Sequence, residues 1–457
     1  MNIKIHHGST EYDDCCIEIT TRNSRILIAV GTPFDDPNTV TASSKDAKGS
    51  RTKSLAEKIP GLFASGPAID AIILTSAHVD NTPFLQDTLE TIPVYLTPGI
   101  SKLIEAGSYY GRTCAVPVKR RHVMGGELHT LRAKGDSGLL TIGCPTCDQV
   151  MLPDKPVKIG DFTITIIPVN HDTLGCVNLW IEAEGKRVLY AGDLRLHGRD
   201  RMSADQLIRL TLSTTLDALI LNGSHFARIR KDQVHSTDLE DKLIFEMGES
   251  PGLVLAMFVP SHLDRLMTFY QAAWHSGRIL VVDPFTAEML VQTNATDELA
   301  TPLPIRKAGI KVYYPKDFPI QRTTLLHGKK CSRVTLEAIL EAPQKYVMLF
   351  RHPMLVADFG GQLPPKTRII YSYWHGCPTN QAGIAWKKLK AAVSAAKGEF
   401  VEYHSSGFQF TEDILAFVWT LNPNKILPLQ CEGSNRFDQF FENQTTYLKD
   451  GTGFTLK

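Results

Sequence analysis

The sequence predicts an α/β protein in which a part built of short strands is followed by a unit of alternating strands and helices. Three observations carry this expectation. Short apolar runs bounded by turn residues dominate the chain up to Asn222, regular strand–helix alternation follows from Ser236, and a strand–helix–strand–helix stretch closes the chain.

In the first part, residues 25–31 and 70–75 are apolar runs bounded by turn residues, as expected for strands buried on both faces. Residues 161–168 alternate polar and apolar and lead into Asn170-His171-Asp172. Residues 176–181 and 187–191 flank Glu184-Gly185-Lys186, which reads as a hairpin turn. Residues 217–222 form a further apolar strand ending in Asn222-Gly223-Ser224-His225.

The second unit opens with Ser236, a helix-capping residue ahead of a helix over 236–247 whose acidic residues fall early. A strand at 252–258, a helix at 261–276, a strand at 278–283 and a helix at 284–292, opened by Pro284, follow in turn. Such alternation implies a largely parallel sheet. Strands at 346–351 and 368–373 and a long helix at 381–397 come next, then strand 399–403, helix 411–421, strand 425–429 and helix 436–443. The stretch 293–330, rich in Thr, Pro and Lys, reads as an irregular connection.

A chain of 457 residues can bury a large core and form two or three domains, or one domain interrupted by another. It contains no apolar run of about 18 residues able to span a membrane, and its first residues lack the apolar centre of an export signal. Nine cysteines, an odd number spread over a long chain, fit a reducing cytoplasm better than a disulfide framework. A net charge of +1 gives no global field for holding a polyanion, so any such site has to be local. Lys119-Arg120-Arg121-His122, in a segment that reads as a loop, and Arg228-Ile229-Arg230-Lys231 are the two basic clusters; a solvated surface accounts for either alone.

The chemistry gathers around Ile72-Ile73-Leu74-Thr75-Ser76-Ala77-His78-Val79-Asp80-Asn81, a buried strand running into a polar loop. His78 and Asp80 are two residues apart and share a side of an extended loop, while His171 and Asp193 each come at the end of a later strand. This frame resembles the metallo-β-lactamase fold, whose pattern after such a strand is His-x-His-x-Asp-His. Further stretches are similar, in order and spacing, to the β-CASP branch of that fold, the nucleic-acid-processing branch that includes ribonuclease J. They are Ala191-Gly192-Asp193-Leu194-Arg195, Leu221-Asn222-Gly223-Ser224-His225, Leu263-Asp264-Arg265-Leu266, His404-Ser405-Ser406-Gly407-Phe408 and Leu427-Pro428-Leu429-Gln430.

The resemblance implies an αββα sandwich interrupted by a β-CASP-like α/β insert, with the core over 1–222 and 368–457 and the insert over 223–367. The site would lie in the cleft between them. Retained metal ligands would be His78, Asp80, His171 and Asp193, with Asp80 and His171 as the catalytic pair and Arg195, His225, His404 and Ser406 around the substrate. Ser76, Asn81 and Gln430 replace three ligand histidines, and Phe408 replaces a histidine tied to the scissile phosphate. Asn222 stands for an acidic residue and Ala29 for an aspartate.

Serine, asparagine and glutamine keep a hydrogen-bonded pocket but are poor zinc ligands. His78, His171 and Asp193 would suffice for one zinc, iron or manganese ion; Asp80 with shared Asp193 would not hold a second. The cofactor is therefore one such ion or none. Three functions compete. The first is a ribonuclease J-like protein with a degenerate site that binds RNA or single-stranded nucleic acid, as a homodimer or beside an active paralogue. The second is a mononuclear hydrolase with Asp80 as general base. The third is a metal-free module holding a small ligand. His6, His7, Cys15, Cys16 and the lone Cys144-Pro145-Thr146-Cys147 read as structural.

Overall fold

A computed structural model describes residues 1–9, 15–31, 59–78, 85, 87–109, 121–123, 156–169, 171, 173, 175–192, 214–224, 226, 236–293, 309–316, 318, 332–373, 383–405, 410–431 and 437–457. Strands β1 (Asn2–His7), β2 (Cys16–Thr20) and β3 (Arg25–Ile28) form an antiparallel meander. β4 (Ala71–Ile73), β5 (Val94–Leu96) and β6 (Arg121–Val123) add to β3 in parallel. Near the C-terminus, β19 (Gly453–Thr455) closes the other edge against β1.

A second sheet runs through β7 (Val157–Ile159), β8 (Phe162–Pro168), β9 (Val177–Ala183), β10 (Lys186–Ala191) and β11 (Ala218–Asn222) to β18 (Lys425–Leu429). Its β9–β10 hairpin turns at Glu184 (φ 51°) and Gly185 (φ 70°), two successive left-handed residues that match the strand twist. The inner faces of these two sheets meet in one apolar layer rich in β-branched side chains. Ile3, Ile5, Ile17, Ile19, Ile26, Ile28 and Ile73 pack there against Ile164, Ile166, Ile181, Val188 and Ile220.

Helix α1 (Pro98–Tyr109) covers the outer face of the first sheet, where Leu27, Ile72, Leu74, Val94 and Leu96 point away from the sandwich. On the far side, α8 (Thr411–Leu421) and α9 (Asp438–Phe441) cover the second sheet through Ile414, Phe417, Val418 and Phe441. The layers are thus helix, sheet, sheet, helix.

Between β11 and β18, which are neighbours in space, the chain leaves to build a third sheet. It contains β12 (Val254–Met257), β13 (Ile279–Val282), β14 (Ile310–Val312), β15 (Tyr346–Leu349), β16 (Arg368–Tyr371) and β17 (Glu399–Glu402), in the order β14-β13-β15-β12-β16-β17 and all parallel. Alternate residues of β12 separate its faces: Val254 and Ala256 belong to one apolar cluster, Leu255 and Met257 to the other. Helices α2 (Ser236–Glu249), α3 (Leu263–His275) and α4 (Pro284–Thr293) cover the first face. The other is covered by α5 (Leu336–Glu341), α6 (His352–Ala357) and α7 (Ile384–Ala395). Helix α4 packs on α1, so Phe285, Met289 and Leu290 share a cluster with Ile100, Leu103 and Ile104 and weld the insert to the sandwich. Among the described residues no helix is long and apolar enough to cross a membrane.

Three expectations change. Strands β16 and β17 pair within the third sheet, so residues 368–402 do not belong to the closing part of the core; parallel pairing to β12 decides this, and that is invisible to local pattern. Arg121 and His122 lie in edge strand β6, not in a loop. The expected irregular stretch holds β14, too short at three residues to show a period.

Candidate functional site

The parallel strands β3, β4, β10, β11 and β18 end along one edge of the sandwich, and the loops that leave them are tied to one another. After β4 the chain passes through Leu74, whose N–H bonds the Tyr95 carbonyl at 2.9 Å, to Thr75, whose carbonyl accepts from Val177 N at the start of β9 at 3.0 Å. Ala77 N donates to Thr173 Oγ1 at 3.3 Å, and Thr173 Oγ1 lies 3.0 Å from Cys176 Sγ. Thr97, ahead of α1, gives its hydroxyl to the Gly175 carbonyl at 2.8 Å and accepts from Ile100 N at 3.2 Å. Gly175 has φ 77°, and a Cβ there would lie 2.4 Å from Thr97 Oγ1, so only glycine allows this approach.

These ties bring His78 and His171 together. Their rings are 5.3 Å apart between centroids, edge to face at 72°. His171 is buried and His78 half-buried, while Ser76 is fully buried beneath them in the chain.

At the ends of β11 and β18, Asn222 and Gln430 form a side-chain pair: Asn222 Nδ2 donates to Gln430 Oε1 at 2.6 Å, and Asn222 Oδ1 accepts from Ser224 N at 2.9 Å. Gln430 has a left-handed backbone (φ 55°) and its N–H bonds the Gly8 carbonyl at 3.0 Å, just past β1. Ala29, just past β3, is also left-handed (φ 58°) and its N–H bonds the Ile73 carbonyl at 2.9 Å. His7, at the end of β1, sets its Nε2 against the Gly31 carbonyl at 2.5 Å. Burial pushes the Cys431 thiol up to about 12, which makes it a neutral packing group and no nucleophile.

His404 lies in the loop after β17. Its Nδ1 is 3.1 Å from the Ser372 carbonyl and 3.4 Å from Arg265 Nη1; the buried Arg265 guanidinium also bonds Ser372 Oγ and the Ser405 carbonyl. Asp80, Asn81, Asp193, Arg195, His225, Ser406 and Phe408 lie outside the described residues.

The donors present decide what could be held. Two imidazoles on one tetrahedral zinc, with Zn–N near 2 Å, sit about 5 Å apart between ring centres, and the His78–His171 spacing of 5.3 Å meets that. No third His, Cys, Asp or Glu joins them among the described residues. At the positions of Asn222 and Gln430 the amides bond each other instead. The described residues fit part of a one-ion set and do not fit the two-ion set. Sequence reading singled out Asn222 and Gln430 as altered positions but not as each other's partner. It missed Thr173, whose only local signal is its place two residues after His171.

Residues 44–237 match the family model of the beta-lactamase superfamily domain. That span takes in β4 to β11 and the loops bearing His78 and His171. The sandwich is accordingly consistent with the metallo-β-lactamase fold. No curated protein matches the chain. A crystal structure of a protein of unknown function from Enterococcus faecalis V583 is similar over 99% of this chain and 99% of its own, with a TM-score of 0.73 and 15% identity. At that identity the likeness is one of fold.

Proposed function

We propose that this chain is a ribonuclease J-like relative of the β-CASP branch with a degenerate metal site, acting by binding RNA or single-stranded nucleic acid, or as partner of an active paralogue. The observation that carries this reading is the Asn222–Gln430 pair, in which two positions that hold an acid and a ligand histidine in the branch satisfy each other at 2.6 Å. The parallel six-stranded insert between β11 and β18 and the order of the motifs support the nucleic-acid part. With a net charge of +1, binding would depend on local basic groups. The test is anisotropy of a labelled single-stranded RNA at low and at physiological salt, beside a cleavage assay with added zinc or manganese. Salt-sensitive binding without cleavage supports the reading; absence of binding at low salt ends its nucleic-acid part and leaves only the partner role.

A second reading, a mononuclear hydrolase, draws on the 5.3 Å spacing of His78 and His171. In it His78, His171 and Asp193 would hold one zinc, iron or manganese ion, with Asp80 as general base. When bound, such an ion supplies an activated water and polarises a phosphoryl oxygen. The chain's own part would be to fix the two imidazoles and exclude competing water through the buried loops around Thr75 and Val177. Elemental analysis of protein purified without added metal or chelator, beside Asp193→Ala, decides it. About one equivalent that disappears in the variant supports the hydrolase, and no metal even after zinc is added back rejects it.

A further inference from the structure

We infer that Thr173 is the positioning residue that sets the His78–His171 spacing. The inference rests on reading these two histidines as the facing pair of the proposed site. They come from different sheets: His78 follows β4 of the first, and His171 precedes β9 of the second. Nothing in either strand fixes the distance between loops that belong to separate sheets. That distance is decided by the bonds crossing from one loop to the other.

Among the described residues, two bonds of that kind are seen. One is backbone to backbone, from Val177 N to the Thr75 carbonyl at 3.0 Å. It lies three residues before His78 and six after His171, too far from either ring to fix its orientation. The other ends one residue before His78 and two after His171: Ala77 N donates to Thr173 Oγ1 at 3.3 Å. The same oxygen is 3.0 Å from Cys176 Sγ, a second partner that holds the hydroxyl's rotamer. Thr173 is 4% exposed, so water does not compete for it. A buried hydroxyl with both partners in place orients its loop as an outer-shell group orients a ligand.

The position asks for a hydroxyl. Valine has the shape of threonine and neither accepts from Ala77 N nor bonds Cys176, leaving a buried N–H without a partner. Serine keeps the oxygen and loses only a methyl group. The two replacements therefore separate hydrogen bonding from packing.

The experiment uses the full chain labelled at its histidine rings and reads the magnetisation transfer between the His78 and His171 ring protons. Circular dichroism confirms the fold of each variant. Thr173→Val is expected to abolish the transfer and Thr173→Ser to retain it. Thr173→Ala is read in the same way and stands in if the valine chain does not fold. Retention of the transfer in folded Thr173→Val or Thr173→Ala overturns the inference, as does its equal loss in Thr173→Ser. A second arm titrates each protein with cobalt(II) and follows its visible absorption. If the wild type binds, Thr173→Val should bind about tenfold more weakly, as loss of an outer-shell bond does; unchanged binding overturns the inference. If the wild type binds no cobalt while the ring transfer behaves as expected, the one-ion reading fails and the positioning role stands.

Discussion

Asn222 and Gln430, 208 positions apart in the chain, close a hydrogen bond of 2.6 Å between their side-chain amides across the ends of β11 and β18. Both are more than nine-tenths buried, so the bond forms out of water's reach. Gln430→Leu would leave Asn222 Nδ2 buried and unpartnered at that point, at a cost of about 1–3 kcal/mol. Gln430→Glu, which keeps an acceptor, should cost less. Urea midpoints of the two variants check this, and a neutral leucine variant would show that the pair does not hold the floor of the site.

Ala29 carries a left-handed backbone, φ 58°, directly after β3. A non-glycine residue pays about 1–2 kcal/mol for that conformation, and glycine costs about 0.5–1 kcal/mol in chain entropy. Ala29→Gly should therefore raise stability by up to about 1 kcal/mol, while its N–H keeps the bond to Ile73. A lower thermal midpoint in the glycine variant would show that the methyl group packs usefully enough to outweigh the strain.

Glu18 sits in the first sheet between His6 Nε2 at 2.9 Å and Arg25 Nη2 at 2.6 Å. Burial opposes its charge, but the hydrogen bonds from His6 and Arg25 outweigh it and hold the carboxyl at about 2, below the ordinary 4.5. A depressed carboxyl stabilises the fold above its unfolded value, so this contribution is complete above about pH 4.5 and is lost as pH falls through about 2. Glu18→Gln should flatten the loss of stability across that window and lower stability at neutral pH. Unfolding free energy measured between pH 6 and about 2 reads both effects.

Arg278 closes the N-terminal edge of the third sheet. Its guanidinium bonds the carbonyls of Met247 at 2.8 Å, Gly252 at 3.0 Å and Tyr346 at 3.3 Å, together with that of Ser250. Burial, and then the neighbouring charge of Arg368, pull its pKa down. Arg278→Met fills the space and satisfies none of these carbonyls, so it should cost about 3–4 kcal/mol. Hydrogen exchange should localise the loss to β12, β13 and β15.

Local pattern was sufficient for most elements. The helix at Thr411–Leu421 and the strand at Lys425–Leu429 end where periodicity and turn residues put them. The hairpin at Glu184-Gly185 follows from its turn residues. The very short strands β5, β6, β7, β14 and β19 escape such reading, because three residues carry no period, and β1, β2 and helix α1 escape it too, although they are longer.

The sequence by itself determined most of the element types, the βα alternation that follows Ser236, and the loops that carry His78, His171, Asn222 and Gln430, because each depends on neighbours within a few residues. Only the tertiary structure decided that β16 and β17 join the third sheet, that His78 faces His171, and that Thr173 and the Asn222–Gln430 pair lie at the joints. Strand pairing and loop-to-loop bonds are made between segments far apart in the chain. Their partners are chosen by the packing of whole sheets, and no local window of sequence contains that information.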